Sequence, residues 1–355
     1  MTTAITIGMI IIYVAIMMGI GVYTARQTRS VSDFVLGSHS VGSWLTAFAY
    51  GTSYFSAVVF IGYAGQFGWT YGVSAAWVGI GNALLGSLLA WIVLGRRTRI
   101  MTQSLGAKTM PEYFEKRWNS KGLKIAAALI VFVFLIPYTA SVYNGLSRLF
   151  NMAFQIESEG AYKIIIIVMA LLTAIYVILG GYAATAINDF IQGIVMLIGI
   201  AAVVICAIQN QGGLTSALAA LGEIEVNGKT NTLNSVFGPD PLNLLGVVIL
   251  TSLGTWGLPQ MIHKFYAIKS ENDIKKGAVI STVFALIVAG GSYLLGGFDR
   301  LFCTLTEDGS GKTVISTLSN GKPDFDAMIP SLLHTALPDI LIGLVAVSYT
   351  HLRAH

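Results

Sequence analysis

The chain has 355 residues, 55% of them apolar and only 11% charged, with a formal net charge of +4. A water-soluble domain carries roughly a quarter charged residues, so this composition excludes an ordinary soluble enzyme. Apolar runs near 20 residues recur along the chain, and each is long enough to cross ~30 Å of hydrocarbon. The ~10-residue alternating segments of a transmembrane barrel are absent from the sequence. The reading is an all-α polytopic membrane protein.

In chain order the apolar runs predict eight spans, at about Ile5–Ala25, Gly42–Gly68, Val73–Leu94, Leu123–Leu149, Tyr162–Leu179, Ala184–Ile208, Leu242–Met261 and Gly277–Phe298. A ninth apolar stretch begins near Pro338 and reaches only to about Val347. The first run is too long for a signal-peptide core and lacks a basic segment before it. Between the third and fourth spans, "TMPEYFEKRW" predicts a short interfacial helix opening at Pro111, since proline suits a first helical turn. The segments 209–241 and 299–322 are polar and are expected to face outward.

With the N-terminus outside, fourteen Lys and Arg residues fall on the inner side: Arg26, Arg29, the cluster from Arg96 to Lys124, and the group from Lys264 to Lys276. Six fall outside: Arg148, Lys163, Lys229, Arg300, Lys312 and Lys322. Cytoplasmic loops carry the excess of Lys and Arg, so the expected topology is N-out, in the cytoplasmic membrane of a prokaryote. Basic residues confined to loops give no nucleic-acid signature.

Two spans are written as weak helices. "AYGTSYFSAVVFIGYAGQFG" threads Gly51, Gly62, Gly65 and Gly68 with Thr52, Ser53 and Ser56 through one apolar run. Each glycine costs ~1 kcal/mol in a helix interior relative to alanine. One reading is close packing through small residues. The other is a discontinuous helix whose unwound carbonyls hold a cation. "TSLGTWGLPQMIHKFYAIKS" interrupts a second span with Gly254, Gly257 and Pro259, and proline breaks the hydrogen-bond ladder. Two interrupted helices about five spans apart are what an inverted-repeat transporter needs.

With these stretches the chain resembles the sodium:solute symporter family. The match runs from "DFVLGSHSVGSWLTAFAYGTSYFSAVVFIG" through "TMPEYFEKRW", "ILGGYAATAINDFIQG" and "WGLPQMIHKFYAIKS" to "LPDILIGLVAV". The resemblance implies a leucine-transporter-type inverted-repeat fold with an extra N-terminal helix. The first repeat would cover about 42–208, and an incomplete second repeat about 242–347. It implies that backbone carbonyls at Thr52 and Phe55 bind sodium and that the Ser56 hydroxyl couples cation to substrate; helix–helix hydrogen bonding is the alternative for Ser56. It matches Asp189 to an aspartate on the cytoplasmic cation route. An intramembrane carboxylate is a functional group by default, and a helix N-terminal cap at the interface is the other account.

Tyr54, Val59, Trp256 and Pro259 are candidates for the substrate cavity, with Tyr138, Tyr143 and Asn144 as further lining; for the aromatics, helix packing is the commoner account. Tyr54 stands where proline carriers of the family have an aspartate. Val59 and Ala76 stand where sugar carriers have polar residues. "SYFSAVVFIG" leans toward the carboxylate and vitamin branches. The implied function is symport of sodium with a small polar organic solute by alternating access, with the lipid bilayer as surroundings, no nucleic-acid partner and no organic cofactor. A membrane sensor, with this domain as input to a kinase, is the alternative from another class, and a passive channel is a third.

"DGSGKT" lacks the first glycine of a phosphate loop, because Thr306 stands there. Five histidines show no metal-ligand spacing, and no nucleophile–base pair suggests an enzyme. Ten apolar residues after Pro338 fall short of a span, and "SYTHLRAH" follows directly. The expectation is that 348–355 is a non-native tail on a truncated chain that lacks half its cation site and does not transport alone.

Overall fold

The computed structural model describes residues 2–26, 30–37, 41–55, 58–154, 159–307, 309, 311–338, 341–343 and 345. It is built from helices: α1 (Thr2–Ala25), α2 (Val31–Leu36), α3 (Ser43–Tyr54), α4 (58–71), α5 (76–105), α6 (Met110–Trp118), α7 (Lys121–Phe154), α8 (159–180), α9 (182–210), α10 (Leu214–Glu223), α11 (Pro241–Leu253), α12 (Pro259–Ala267), α13 (Glu271–Gly296), α14 (Asp299–Phe302) and α15 (Met328–Ala336). The tail 348–355 lies outside the described residues.

Among the described residues, four helical stretches are long and apolar enough to cross a membrane: Val58–Leu105, Lys121–Arg148, Ile166–Asn210 and Glu271–Gly296. Two of these join predicted neighbours across a glycine. Gly72, at φ +62, separates α4 from the turn leading into α5. Gly181, at φ 57 and ψ −154, separates α8 from α9. Both lie in the left-handed half of backbone space, where a Cβ is costly. A β-carbon on Gly72 would also meet the Leu233 carbonyl oxygen at 2.1 Å.

Local capping explains the short helices. The Ser30 side chain accepts from the Asp33 N–H at the start of α2, and Ser270 does the same for Asp273 at the start of α13. Helix α6 opens as expected around Pro111, which lies in its first turn. Thr109 accepts from the Glu112 N–H, and the Glu112 carboxylate reaches back to accept from the Lys108 N–H at 2.8 Å, a variant of the capping box. The segments expected to be polar loops hold more structure than that. Helix α10 buries Ala217 and Leu221, and Cys303–Thr304 pairs in parallel with Thr313–Val314; beyond these segments, α15 buries Ile329 and Leu332.

Helix α13 is the central post. Gly79 lies against the Ala289–Gly290 backbone, the Ser87 and Ser281 hydroxyls share a hydrogen bond of 3.0 Å, and Gly277 lies under the Trp91 ring. This ladder runs α5 antiparallel to α13. Gly51 and Gly193 both leave room for Phe284, so α3 and α9 close on the same post. Small residues that let backbones approach are how helices associate without a hydrophobic drive. Helix α7 is peripheral and shows Phe132, Phe134 and Ile136 outward, each more than half exposed.

Candidate functional site

Both predicted interruptions are real breaks. Helix α3 ends at Tyr54, and Phe55 takes φ −102 and ψ 76, outside the helical region. The chain resumes as α4 with a wide π-type turn over Val58–Tyr63. Ser56 lies outside the described residues. The second interruption runs through a 3₁₀ turn, Gly254–Gly257, to an extended Leu258, and Pro259 opens α12 in its first turn. The two halves are bent by 54°.

The breaks hold each other. The Tyr54 hydroxyl, buried, donates to the Thr251 carbonyl at 2.9 Å, at the end of α11. Asn82 on α5 accepts from the Thr251 and Ser252 hydroxyls, each at 3.1 Å. The Trp256 indole donates to the Leu85 carbonyl at 3.0 Å, and the Tyr50 hydroxyl to the Gly86 carbonyl at 3.0 Å. Residues 82–86 of α5 are therefore a shared backing for both interruptions. Thr52 is fully buried, its hydroxyl donating to the Phe48 carbonyl at 2.9 Å, and the Phe55 ring stacks on Tyr54. Val59 is half-buried against the core.

A cavity of about 560 Å³ opens beside the second break. Pro259, Gln260, His263 and Lys264 of α12 line it, with Tyr138 of α7, Gly181, and Tyr182 and Thr185 of α9. Among the sequence candidates, Pro259 and Tyr138 face this space; Thr52, Phe55, Tyr54, Val59 and Trp256 do not line it. Tyr143 lines a separate groove on α7, and Asn144 donates to Asp326 at 3.4 Å.

Asp189 lies two turns into α9 and is 2% exposed. That depth removes the capping account, since the helix dipole acts within the first turn. Its Oδ2 is 3.7 Å from the Nζ of Lys264, itself 4% exposed, and that ammonium sits 5.0 Å over the Tyr182 ring. The sequence reading counted Lys264 only as an inner-side charge. A cation five residues after the helix-breaking Pro259, inside an apolar stretch, was the available signal. Asn188 and Gln260 are also missed neighbours, each with its amide buried and without a hydrogen-bond partner among the described residues.

The ends of the two broken helices meet at the face that carries α6. The Lys269 N–H donates to the Val41 carbonyl at 3.1 Å, with a bridge between Val41 and Ile268. Arg99, buried, donates to the Tyr266 carbonyl at 3.1 Å and the Lys269 carbonyl at 3.4 Å. It neutralises carbonyls at the C-terminal end of α12, where the helix dipole favours a cation.

A bundle of apolar helices arranged around two discontinuous helices, the first broken at the buried Phe55 and the second at the partly exposed Gly254–Gly257 turn, defines a multi-span membrane protein. The chain belongs to the sodium:solute symporter family, whose model matches residues 34–350. Sodium/proline symporters of Staphylococcus aureus strains JH9 and Mu3 / ATCC 700698 are each 35% identical over 274 residues, which is 76% of this chain and 51% of theirs. The chain thus spans about half the length of these curated relatives. A solved structure of a Na+-coupled sialic acid symporter, in a substrate-bound outward-open state, matches with TM-score 0.71 at 16% identity, covering 98% of this chain and 68% of that one. That likeness establishes the fold.

Proposed function

We propose that this chain forms the substrate- and cation-handling part of a sodium-driven symporter for a small polar organic solute, working by alternating access. The observation that carries the reading is the mutual support of the two breaks through Tyr54, Thr251 and Asn82. A cation seated at the Thr52 and Phe55 carbonyls would bear on the same turn that holds Tyr54, and so on α11. In this reading α3–α4 and α11–α12 are equivalent members of two inverted repeats, and the α6 face is cytoplasmic with the N-terminus outside. Asp189 and Lys264 form the inner end of the cation route, with the Lys264 ammonium occupying the charge that sodium would bring. Ser56 retains its proposed coupling role. The relatives named as sodium/proline symporters make proline the first solute to test, although Tyr54 offers no carboxylate.

The test is uptake into proteoliposomes of the full-length protein, with labelled proline, monocarboxylates and pantothenate offered with and without an inward sodium gradient. Sodium-stimulated accumulation of one of them is expected. Flux that ignores the gradient and stays linear with solute concentration would replace the symporter by a passive pore.

A further inference from the structure

The cavity beside the second break has two kinds of wall. Phe34 and Val35 of α2, Val131 and Leu135 of α7 and Val177 of α8 line it with hydrocarbon, while α12 contributes Gln260, His263 and Lys264. At about 560 Å³ it falls within the roughly 300–1,000 Å³ of pockets that hold small organic ligands. Thr109, Met110 and Pro111 border it, so it lies toward the face that carries α6.

The polar wall asks for an anion that also accepts from an amide. The Lys264 Nζ stands 3.7 Å from the Asp189 Oδ2, beyond the ~2.7–2.9 Å of a charge-assisted hydrogen bond. Gln260 precedes Lys264 by four residues and so shares its helix face. The Gln260 amide is buried, and neither its oxygen nor its nitrogen is hydrogen-bonded among the described residues. The Thr185 hydroxyl, in contrast, already donates to the Tyr182 carbonyl at 2.9 Å. A wholly apolar occupant would leave the Gln260 amide unpaired, at the cost of its desolvation. A carboxylate accepts from both an ammonium and an amide N–H, and the hydrocarbon walls suit an apolar body behind it.

We infer that this cavity binds a carboxylate-bearing solute with an apolar body, its carboxylate on Lys264 and Gln260 and its hydrocarbon against the α2, α7 and α8 walls. This deepens the symporter reading and rests on it for the sodium that reaches Asp189. Charge balance then links the two ligands. Asp189 and Lys264 together are neutral and buried. Sodium on Asp189 alone would leave the ammonium uncompensated, and a solute carboxylate on Lys264 alone would leave Asp189 uncompensated; either state is unfavourable in a buried site. Sodium and carboxylate arriving together keep the site neutral, so each raises the affinity for the other by the same factor.

The experiment reads occupancy of the cavity rather than transport. The full-length protein, with its accessible cysteines replaced by serine and Val177→Cys introduced on the apolar wall, is held in nanodiscs in sodium chloride or choline chloride. The rate of alkylation at position 177 is measured against phenylacetate and isovalerate, and against their neutral amides. The acids are expected to slow alkylation, more strongly in sodium, and the amides to leave it unchanged. Gln260→Leu should demand about tenfold more acid for the same protection, the loss of one hydrogen bond to a charged group. Lys264→Met with Asp189→Asn, which removes the buried pair without stranding either charge, should reduce the acids to the level of the amides. The alkylation rate without any probe shows whether each variant keeps the cavity. Amides that protect as well as acids, acids that protect the double variant undiminished, or no protection by either acid would overturn the site. Acid protection that ignores sodium would overturn the exchange at Asp189 and leave the carboxylate on Lys264. Protection as expected, with no sodium-stimulated uptake of any solute, would remove symport and keep the site.

Discussion

Tyr54 crosses from one interrupted helix to the other, and the crossing exists only because residue 86 has no side chain. A β-carbon on Gly86 would sit 2.1 Å from the Tyr54 hydroxyl. Removing that hydroxyl with Tyr54→Phe is expected to cost about 1 kcal/mol, the net worth of one hydrogen bond. Gly86→Ala is expected to cost about 1–3 kcal/mol through overpacking. Pairing Gly86→Ala with Tyr54→Leu should recover part of that loss, because the two share one space. Thermal unfolding in detergent checks all three variants, and strict additivity would show that the ring does not occupy that space. Asp189 and Lys264 invite a second comparison. Leaving one member of a buried ion pair alone costs about 3–5 kcal/mol, whereas removing both is often nearly neutral. Lys264→Met should therefore destabilise the fold more than Lys264→Met with Asp189→Asn, by the same measurement. Neither partnership was legible in the sequence, since a contact between Tyr54 and Thr251 needs the fold to bring 197 positions together.

Helix α6 shows what the sequence does specify at the scale of an element. Thr109, Pro111 and Glu112 cap it, and all three are local signals. Burial alone would raise the Glu112 carboxyl, but hydrogen bonds from the Lys116 ammonium and the Lys108 N–H, with the attraction of both lysines, outweigh it and hold it below the usual range. A depressed carboxylate adds stability above its unfolded pKa and loses it as pH falls through the folded one. Helix α6 should therefore fray first on acidification below the ordinary glutamate range, and Glu112→Gln should remove that pH dependence. Hydrogen exchange across 108–118 against pH is the measurement, and an unchanged profile in the variant would place the cap elsewhere. The breaks were legible for the same local reason, glycine and proline inside apolar runs. The helices α10 and α15 were not, because their burial depends on the elements they cover.

For the whole molecule, the sequence predicted where helices lie and could not say how their ends meet. Span counts from hydropathy treat each apolar run alone, so they separated α4 from α5 and α8 from α9 near Gly72 and Gly181 without indicating that α4, α5 and α9, with α3, all pack on α13. The tie between Val41 and Ile268 is the consequence with the clearest functional test. It joins the start of the first broken helix to the end of the second, with Arg99 gripping the carbonyls beside it. Alternating access requires ends of this kind to part on one side while the other closes. Bridged strand positions sit roughly 4.8 Å apart, within the ~4.4–6.8 Å Cα range of a disulfide. A Val41→Cys, Ile268→Cys pair in the full-length protein should oxidise readily, abolish sodium-stimulated uptake and recover it on reduction. In this chain the native Cys303 is buried and Cys206 half-buried, so Cys206 and any further accessible cysteine of the full-length protein are replaced by serine before the pair is introduced. Arg99→Ala should act in the opposite direction, raising the reactivity of a single cysteine at 268 toward a membrane-impermeant thiol reagent applied from the α6 face. If the locked pair transports at the wild-type rate, these ends stay together throughout the cycle and the moving boundary lies at the 560 Å³ cavity instead.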